Sequence, residues 1–176
     1  MKVVAVVPVR APGEGKSRLA GILSPRRRAD LVRGMLARVL TALDGARCID
    51  EVWVVTPDES LELPSGVRAL HDHGTGLNTA VRLAAQRLAG RADAMLLVAA
   101  DAPQVTAAEI DRLVARASVL DVAVVPDRRG SGTNALWLRL PTPLAPQFGV
   151  DSAEAHLSAA RRLGLAAGRI EVPGLS

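Results

Sequence analysis

Val3-Val4-Ala5-Val6-Val7-Pro8-Val9 is a continuous apolar run, and it passes without a break into Arg10-Ala11-Pro12-Gly13-Glu14-Gly15-Lys16-Ser17-Arg18. The run reads as a strand buried on both faces, the kind found inside a parallel sheet. A buried strand that opens into glycines and cations is how α/β proteins receive nucleotide phosphates. The tail Gly15-Lys16-Ser17 imitates a P-loop, but the spacing G-x-x-x-x-G-K-[ST] needs glycine at position 10, which is Arg10. Arg and Lys side chains are therefore expected to neutralise phosphate here, helped by the amides that the glycines expose.

Outward from this strand, apolar runs and helical patterns alternate. Ser24-Pro25 is an N-cap followed by proline at the first helical position and opens a helix to about Leu43, with Leu31, Met35, Leu36, Val39, Leu40 and Leu43 on its apolar face. Strands are predicted over 51–56 and 67–71, a helix over 77–88 closed by Gly90, and a fully apolar strand over 94–99. Thr106-x-x-Glu109 is a capping box that starts another helix. A strand over 122–125 and an added, antiparallel strand over 134–140 follow. Asp151-x-x-Glu154 repeats the capping signature, Gly164 stops the helix it opens, and 169–172 reads as a last strand. This alternation implies one mostly parallel sheet covered by helices on both faces. Ligands in such sheets sit beyond the carboxyl ends of the strands, so the loops after positions 9, 56, 71, 99 and 125 should converge on one crevice.

The 176 residues fit a single domain, 1–176, without a linker to divide it. Apolar runs are short and broken by charge, and the N-terminus has no signal-sequence pattern, so a soluble cytoplasmic protein is expected. Cys48 cannot form an internal disulfide and reads as a packing residue. A net charge of +4 and a pI near 10.5 invite a nucleic-acid reading. Only Trp53, Trp137 and Phe148 are aromatic, which leaves almost nothing for bases to stack on. The densest cationic run, Arg26 to Arg28, opens a helix as a solvated face would. Small anionic substrates fit the cations better than nucleic acid or membrane. Twenty cations are arginines and only Lys2 and Lys16 are lysines, so the phosphate loop keeps a compact point charge in a chain that otherwise uses Arg.

Several loops carry groups of chemical interest. Asp101 follows the strand over 94–99, Pro103 stiffens its turn, and a hard carboxylate there suits Mg²⁺ shared with nucleotide phosphates. Arg129-Gly130-Ser131-Gly132-Thr133-Asn134 can surround an anion, although an ordinary turn would use the same residues. Gly149 and Ser152 lie where a helix N-terminus favours a phosphate or carboxylate, and Asp151 or Ser152 could equally serve as an N-cap. Gly74-Thr75-Gly76-Leu77-Asn78 could admit a sugar or base close to the backbone, or be only a strand-to-helix turn. His71-Asp72-His73 lacks a nearby third ligand and reads as a non-metal loop. His156, one helical turn after Ser152, either faces the anion site or caps the exposed face. No nucleophile-elbow sequence accompanies a Ser/His/Asp set, so hydrolase chemistry ranks low.

Pro8-Val9-Arg10, Lys16-Ser17-Arg18-Leu19, Gly76-Leu77-Asn78, Asp101-x-Pro103, Gly132-Thr133-Asn134-Ala135-Leu136 and Phe148-Gly149-x-x-Ser152 with His156, in this order, closely resemble the CofC/FbiD guanylyltransferases of coenzyme F420 biosynthesis, relatives of the MobA-like nucleotidyltransferases. The resemblance covers nearly the whole chain and implies a Rossmann-like nucleotide-diphospho-sugar-transferase fold. It implies that GTP and 2-phospho-L-lactate or phosphoenolpyruvate react to a guanylated diphosphate and pyrophosphate. It implies that Asp101 holds the Mg²⁺, that Lys16, Arg10 and Arg18 clamp the triphosphate, that Gly76, Leu77 and Asn78 lie near guanosine, and that Thr133, Gly149 and Ser152 hold the acceptor. The partners are then two small molecules; self-association and a hand-off to the next transferase of the F420 pathway are left open.

One departure stands out. Members of the family usually continue into an Asp-x-Asp-Thr-Pro-like segment that supplies further metal carboxylates, where this sequence reads Pro173-Gly174-Leu175-Ser176. Two other readings compete with guanylyl transfer to a phospho-acid: a MobA-like or cytidylyl transferase with another acceptor, and a catalytically silent nucleotide-binding module.

Overall fold

The computed structural model describes residues 1–10, 21, 24–74 and 76–176. Seven strands form one sheet: β1 (Val3–Pro8), β2 (Glu51–Thr56), β3 (Val67–His71), β4 (Ala94–Val98), β5 (Val122–Pro126), β6 (Thr133–Arg139) and β7 (Ala167–Arg169). The helices are α1 (Pro25–Asp44), α2 (Leu77–Leu88), α3 (Ala107–Ala117) and α4 (Ser152–Arg162). The strand order is β3-β2-β1-β4-β6-β5-β7, parallel throughout except for β6, which runs antiparallel to β4 and β5. The expected α/β class and the antiparallel addition both hold.

Period-two alternation divides the core. Val3, Ala5 and Val7 face the layer of α1 and α3, where they meet Val39, Leu43, Ile110 and Leu113. Val4 and Val6 face the layer of α2 and α4, where Val81, Leu88 and Leu157 cover them. All five residues of β4 are buried, as a strand with helices on both sides requires. The starts of α1 and α3 behave as their caps predict. Ser24 Oγ accepts from the Arg27 amide at 3.3 Å, and the Thr106–Glu109 box is closed in both directions, at 3.3 and 3.0 Å.

Three local expectations are corrected. Leu31 lies on the first turns of α1 and is exposed, because the helix commits its buried stripe from Leu36 onward. The last strand comes earlier than 169–172: β7 pairs with β5 in the register Val122 with Ala167, after which Ile170 and Val172 still point inward while the chain turns into a short 3-10 helix, Pro173–Leu175. Asp151 stands at the N-cap position of α4 with φ 52° and makes no side-chain capping bond, and Glu154 bonds Ser158 and Arg161 instead of completing a capping box. The left-handed backbone at Asp151 turns its carboxylate away from the amides it would cap.

The order of strands locates the functional edge. From β1 the chain moves to β2 and β3 on one side, then returns to β4 on the other, so the reversal falls between β1 and β4. At such a switch point the two loops diverge and leave a crevice beyond the carboxyl ends. The strand ends that face it lead to Arg10 and Asp101. Antiparallel β6 brings its N-terminal end to the same edge.

Candidate active site

Asp101 sits on an exposed turn three residues past β4. The turn is fixed from below: the Ala99 amide donates to the Asn134 carbonyl at 2.8 Å, the Val105 amide to the Ala102 carbonyl at 3.3 Å, and Ala102 and Val105 are buried. Asn134 begins the interior of β6 and its side-chain amide donates to the Leu175 carbonyl at 2.7 Å, while the Gly174 amide donates to Glu109 at 2.9 Å. A Cβ on Gly174 would stand 2.7 Å from the Val105 Cα, so only glycine allows the C-terminal turn to lie this close to the Asp101 loop.

The loop before β6 is held by a residue that the sequence reading passed over. Asp127 Oδ1 accepts from the amides of Ser131 and Gly132 at 3.1 and 3.0 Å, and the Gly130 amide bonds the Asp127 carbonyl at 2.8 Å. This is an aspartate turn followed by a glycine at φ 79°, a pattern that Asp-x-x-Gly could have signalled. A Cβ on Gly132 would come within 2.8 Å of Asp127 Oδ2. Gly132→Ala is accordingly expected to cost about 1 kcal/mol, read as a shifted urea midpoint, because the tethered carboxylate has to move.

Next to that loop lies a buried polar cluster. Thr133 Oγ1 and Ser152 Oγ are 3.0 Å apart, and Thr133 Oγ1 is 3.3 Å from His156 Nδ1. Ser152 is 2% exposed and His156 0%. The other ring nitrogen, Nε2, accepts the Gln147 amide at 2.9 Å, and the Phe148 ring meets the imidazole edge-on at 4.8 Å. Burial lowers the His156 pKa to about 4, against a backbone hydrogen bond at Ser152 that raises it, so the ring is neutral near pH 7. The α4 amide of Ala153 donates to the Ser131 carbonyl at 2.9 Å and ties the helix start to the glycine loop. Gly149, with φ 142°, is exposed at the mouth of this cluster.

Asn78, expected near the nucleoside, is engaged with the loop before α4. Its side chain donates to the Phe148 carbonyl at 3.1 Å and accepts the Phe148 amide at 2.7 Å, a reciprocal pair that clamps the loop to α2. Gly76 caps α2 with φ 102°, and Leu77 is half-buried beside it. Asp72, just past β3, keeps a buried Oδ1 that meets no donor among the described residues. Arg10 is exposed just past β1, and Lys16 and Arg18 lie outside the described residues.

Two residues expected at the acceptor, Thr133 and Ser152, thus meet on one side of the edge, with Gly149 in the loop just before Ser152, and Asp101 and Arg10 emerge at the switch point beside it. Among the described residues no three His, Cys, Asp or Glu side chains form a metal cluster. A hard carboxylate on an exposed turn fits Mg²⁺, which keeps several waters and takes one or two carboxylates. Cys48 is no nucleophile: burial, then a hydrogen bond with Asp111, pushes its thiol up to about 12. At the opposite edge, a cavity bordered by Lys2, Glu51, Arg68 and Arg91 is closed by ion pairs of Glu51 with Lys2 at 2.6 Å and Arg68 at 3.3 Å. Glu51 pairs with two of its three cations, and the cavity stays net positive, far from the strand ends where ligands bind in such sheets.

Comparison with known proteins settles the lineage. The family model described as "Guanylyl transferase CofC like" matches residues 1–170. The chain belongs to the CofC-like guanylyl transferase family. Among curated relatives, a phosphoenolpyruvate guanylyltransferase of Sphaerobacter thermophilus is 44% identical over 180 residues, covering 100% of this chain and 87% of that protein. A 2-phospho-L-lactate guanylyltransferase of Methanothermobacter thermautotrophicus is 35% identical over 169 residues, covering 94% and 74%. A solved nucleotidyl transferase from the same genus superposes with a TM-score of 0.69 at 20% identity, over 99% of this chain and 90% of that one, which places the fold. As a CofC-like protein the chain is a nucleotidyltransferase of the guanylyltransferase class. Among the described residues no helix is long and apolar enough to cross a membrane.

Proposed function

We propose that this chain transfers GMP from GTP to the phosphate of phosphoenolpyruvate or 2-phospho-L-lactate, releasing pyrophosphate, as a cytoplasmic step toward coenzyme F420. The observation that carries the reading is the hydroxyl pair of Thr133 and Ser152, 3.0 Å apart at the same sheet edge as Asp101. Hydroxyls and backbone donors at a helix start suit a phosphorylated carboxylic acid.

The chemistry needs little beyond placement. An oxygen of the acceptor's phosphate attacks the α-phosphorus of GTP in line while pyrophosphate departs, and a phosphate dianion needs no base to activate it. Two polyanions must still be brought together. Arg10 at the end of β1 lowers their repulsion, and Lys16 and Arg18 follow it in sequence with the same charge. Asp101 would hold Mg²⁺, which when bound supplies charge neutralisation along the nucleotide phosphates. The Asp127-tethered loop and the Asn78–Phe148 clamp keep the acceptor side rigid.

Incubation with GTP, Mg²⁺ and each acid, with pyrophosphate release and the guanylated product both measured, tests the reading. Release with neither acid would end it, and GTP binding without release would point to a silent binding module. Ser152→Ala is expected to raise the acceptor KM about tenfold, the worth of one lost hydrogen bond to a charged group, with the GTP KM unchanged. An unaltered acceptor KM removes Ser152 from the site.

A further inference from the structure

We propose that His156 is a positioning residue for the acceptor: it fixes the direction in which the Thr133 and Ser152 hydroxyls donate and anchors the Gln147–Gly149 loop beside them. The proposal rests on the guanylyl-transfer reading for the identity of the ligand, but its geometry stands on its own.

The argument begins at Gln147. A backbone amide can only donate, so His156 Nε2, 2.9 Å away, has to present its lone pair. A neutral imidazole with a bare Nε2 carries its proton on Nδ1. That proton faces Thr133 Oγ1 at 3.3 Å, beside the backbone hydrogen bond at Ser152, so the threonine hydroxyl cannot donate to the ring. Thr133 and Ser152 then share one hydrogen at 3.0 Å, with either as donor, and the pair keeps one hydroxyl hydrogen that nothing within the relay consumes. With the opposite tautomer Thr133 would donate to Nδ1 and Ser152 to Thr133, and the relay would turn lone pairs rather than a hydrogen toward an incoming anion. The Gln147 amide therefore decides, through the ring, that this cluster attracts phosphate or carboxylate. Burial keeps the imidazole neutral, which preserves the Nε2 lone pair.

The same ring also shapes the loop. Gln147 is held by α4 through His156, and the adjacent Phe148 by α2 through Asn78, so two helices on one face of the sheet grip consecutive residues before the exposed Gly149. Phe148 closes the arrangement with its edge-on contact to the imidazole. Among the described residues no charged side chain is bonded to the ring, so its role is direction rather than charge.

Steady-state kinetics of His156→Ala and His156→Asn, with GTP, Mg²⁺ and phosphoenolpyruvate or 2-phospho-L-lactate, test this. An asparagine amide stands near the Nδ1 position and can restore the donor to Thr133 without reaching Gln147. The alanine variant is expected to raise the acceptor KM by about tenfold or more while the GTP KM stays within about twofold, and asparagine should recover part of the loss. Equal movement of both KM values, or an unchanged acceptor KM in a folded variant, overturns the role of His156. ¹⁵N spectra of the wild-type imidazole supply a readout independent of any variant: Nδ1 protonated and Nε2 bare is expected, with and without phosphoenolpyruvate, and an Nε2–H tautomer overturns the proposal. A wild type that releases no pyrophosphate with either acid overturns the proposed choice of acceptor, whereas an active wild type with the wrong tautomer or the wrong KM pattern overturns the His156 assignment alone.

Discussion

Asp101→Asn is expected to lower guanylyl transfer by about 10³-fold in a variant that still folds, since removing one preorganised electrostatic group at a reacting phosphate costs two to three orders of magnitude. The two halves of this result have separate physical origins. The fold survives because asparagine keeps the size and shape of the side chain, and the turn is also held by the Ala99 amide on the Asn134 carbonyl, the Val105 amide on the Ala102 carbonyl, and the buried side chains of Ala102 and Val105. Turnover is sensitive because asparagine keeps the shape and loses the charge. At saturating GTP and acceptor, pyrophosphate release should fall steeply, and raising Mg²⁺ should recover part of the rate if the lost carboxylate served the ion. Turnover within about threefold of wild type would remove Asp101 from the reaction.

The contrast between Asp101 and Asp151 shows what could be read from the chain and what could not. Asp101 was placed by a local rule, a carboxylate just beyond a fully apolar strand, and β4 is buried along its whole length as that rule requires. The capping box of α3, the start of α1 and the span of α2 were legible for the same reason: periodicity and caps are written within a few residues of one another. Asp151 carried an equally good local signature, yet a turn at φ 52° cancels it, because Ser152 is drawn inward to Thr133. Bonds of that kind join segments far apart in sequence. Asn78 and Phe148 are separated by 70 positions and His156 and Thr133 by 23, and no spacing rule links them. The resemblance to the CofC/FbiD enzymes brought Thr133, Gly149 and Ser152 to attention, and the geometry adds the residues that hold them, Asp127, Asn78 and His156. Asp127 had a readable signal in its Asp-x-x-Gly turn. For Asn78 the sequence offers no sign of its clamp on the Phe148 backbone.

Between pH 7 and pH 4 the wild-type protein is expected to lose about 3 kcal/mol of folding stability relative to His156→Asn, given that each unit of pKa shift corresponds to about 1.4 kcal/mol. The His156 pKa falls from the ordinary 6.5 to about 4, first because burial disfavours the imidazolium; the backbone hydrogen bond at Ser152 opposes this without cancelling it. In that interval the unfolded chain takes up a proton that the folded protein refuses, so the unfolded state gains with every step down in pH and stability falls. Above about pH 6.5 neither state is protonated at this ring and the difference between the proteins is flat; below about pH 4 both are, and it is flat again. Geometry gives the folded-state penalty a concrete form, since an imidazolium would set an Nε2–H against the Gln147 amide hydrogen across 2.9 Å. Glu109 belongs to the background: burial raises its carboxyl, but hydrogen bonds from Thr106 and the Gly174 amide hold it below the usual range, so its contribution is lost as pH falls through that lowered value. That loss is common to both proteins and cancels in the comparison. Urea unfolding at pH 7, 6, 5 and 4 measures the difference directly, and the absolute cost of His156→Asn at pH 7 does not enter it. Parallel curves over the whole interval would mean that the ring titrates normally, which the geometry of a fully buried imidazole accepting a backbone amide does not allow.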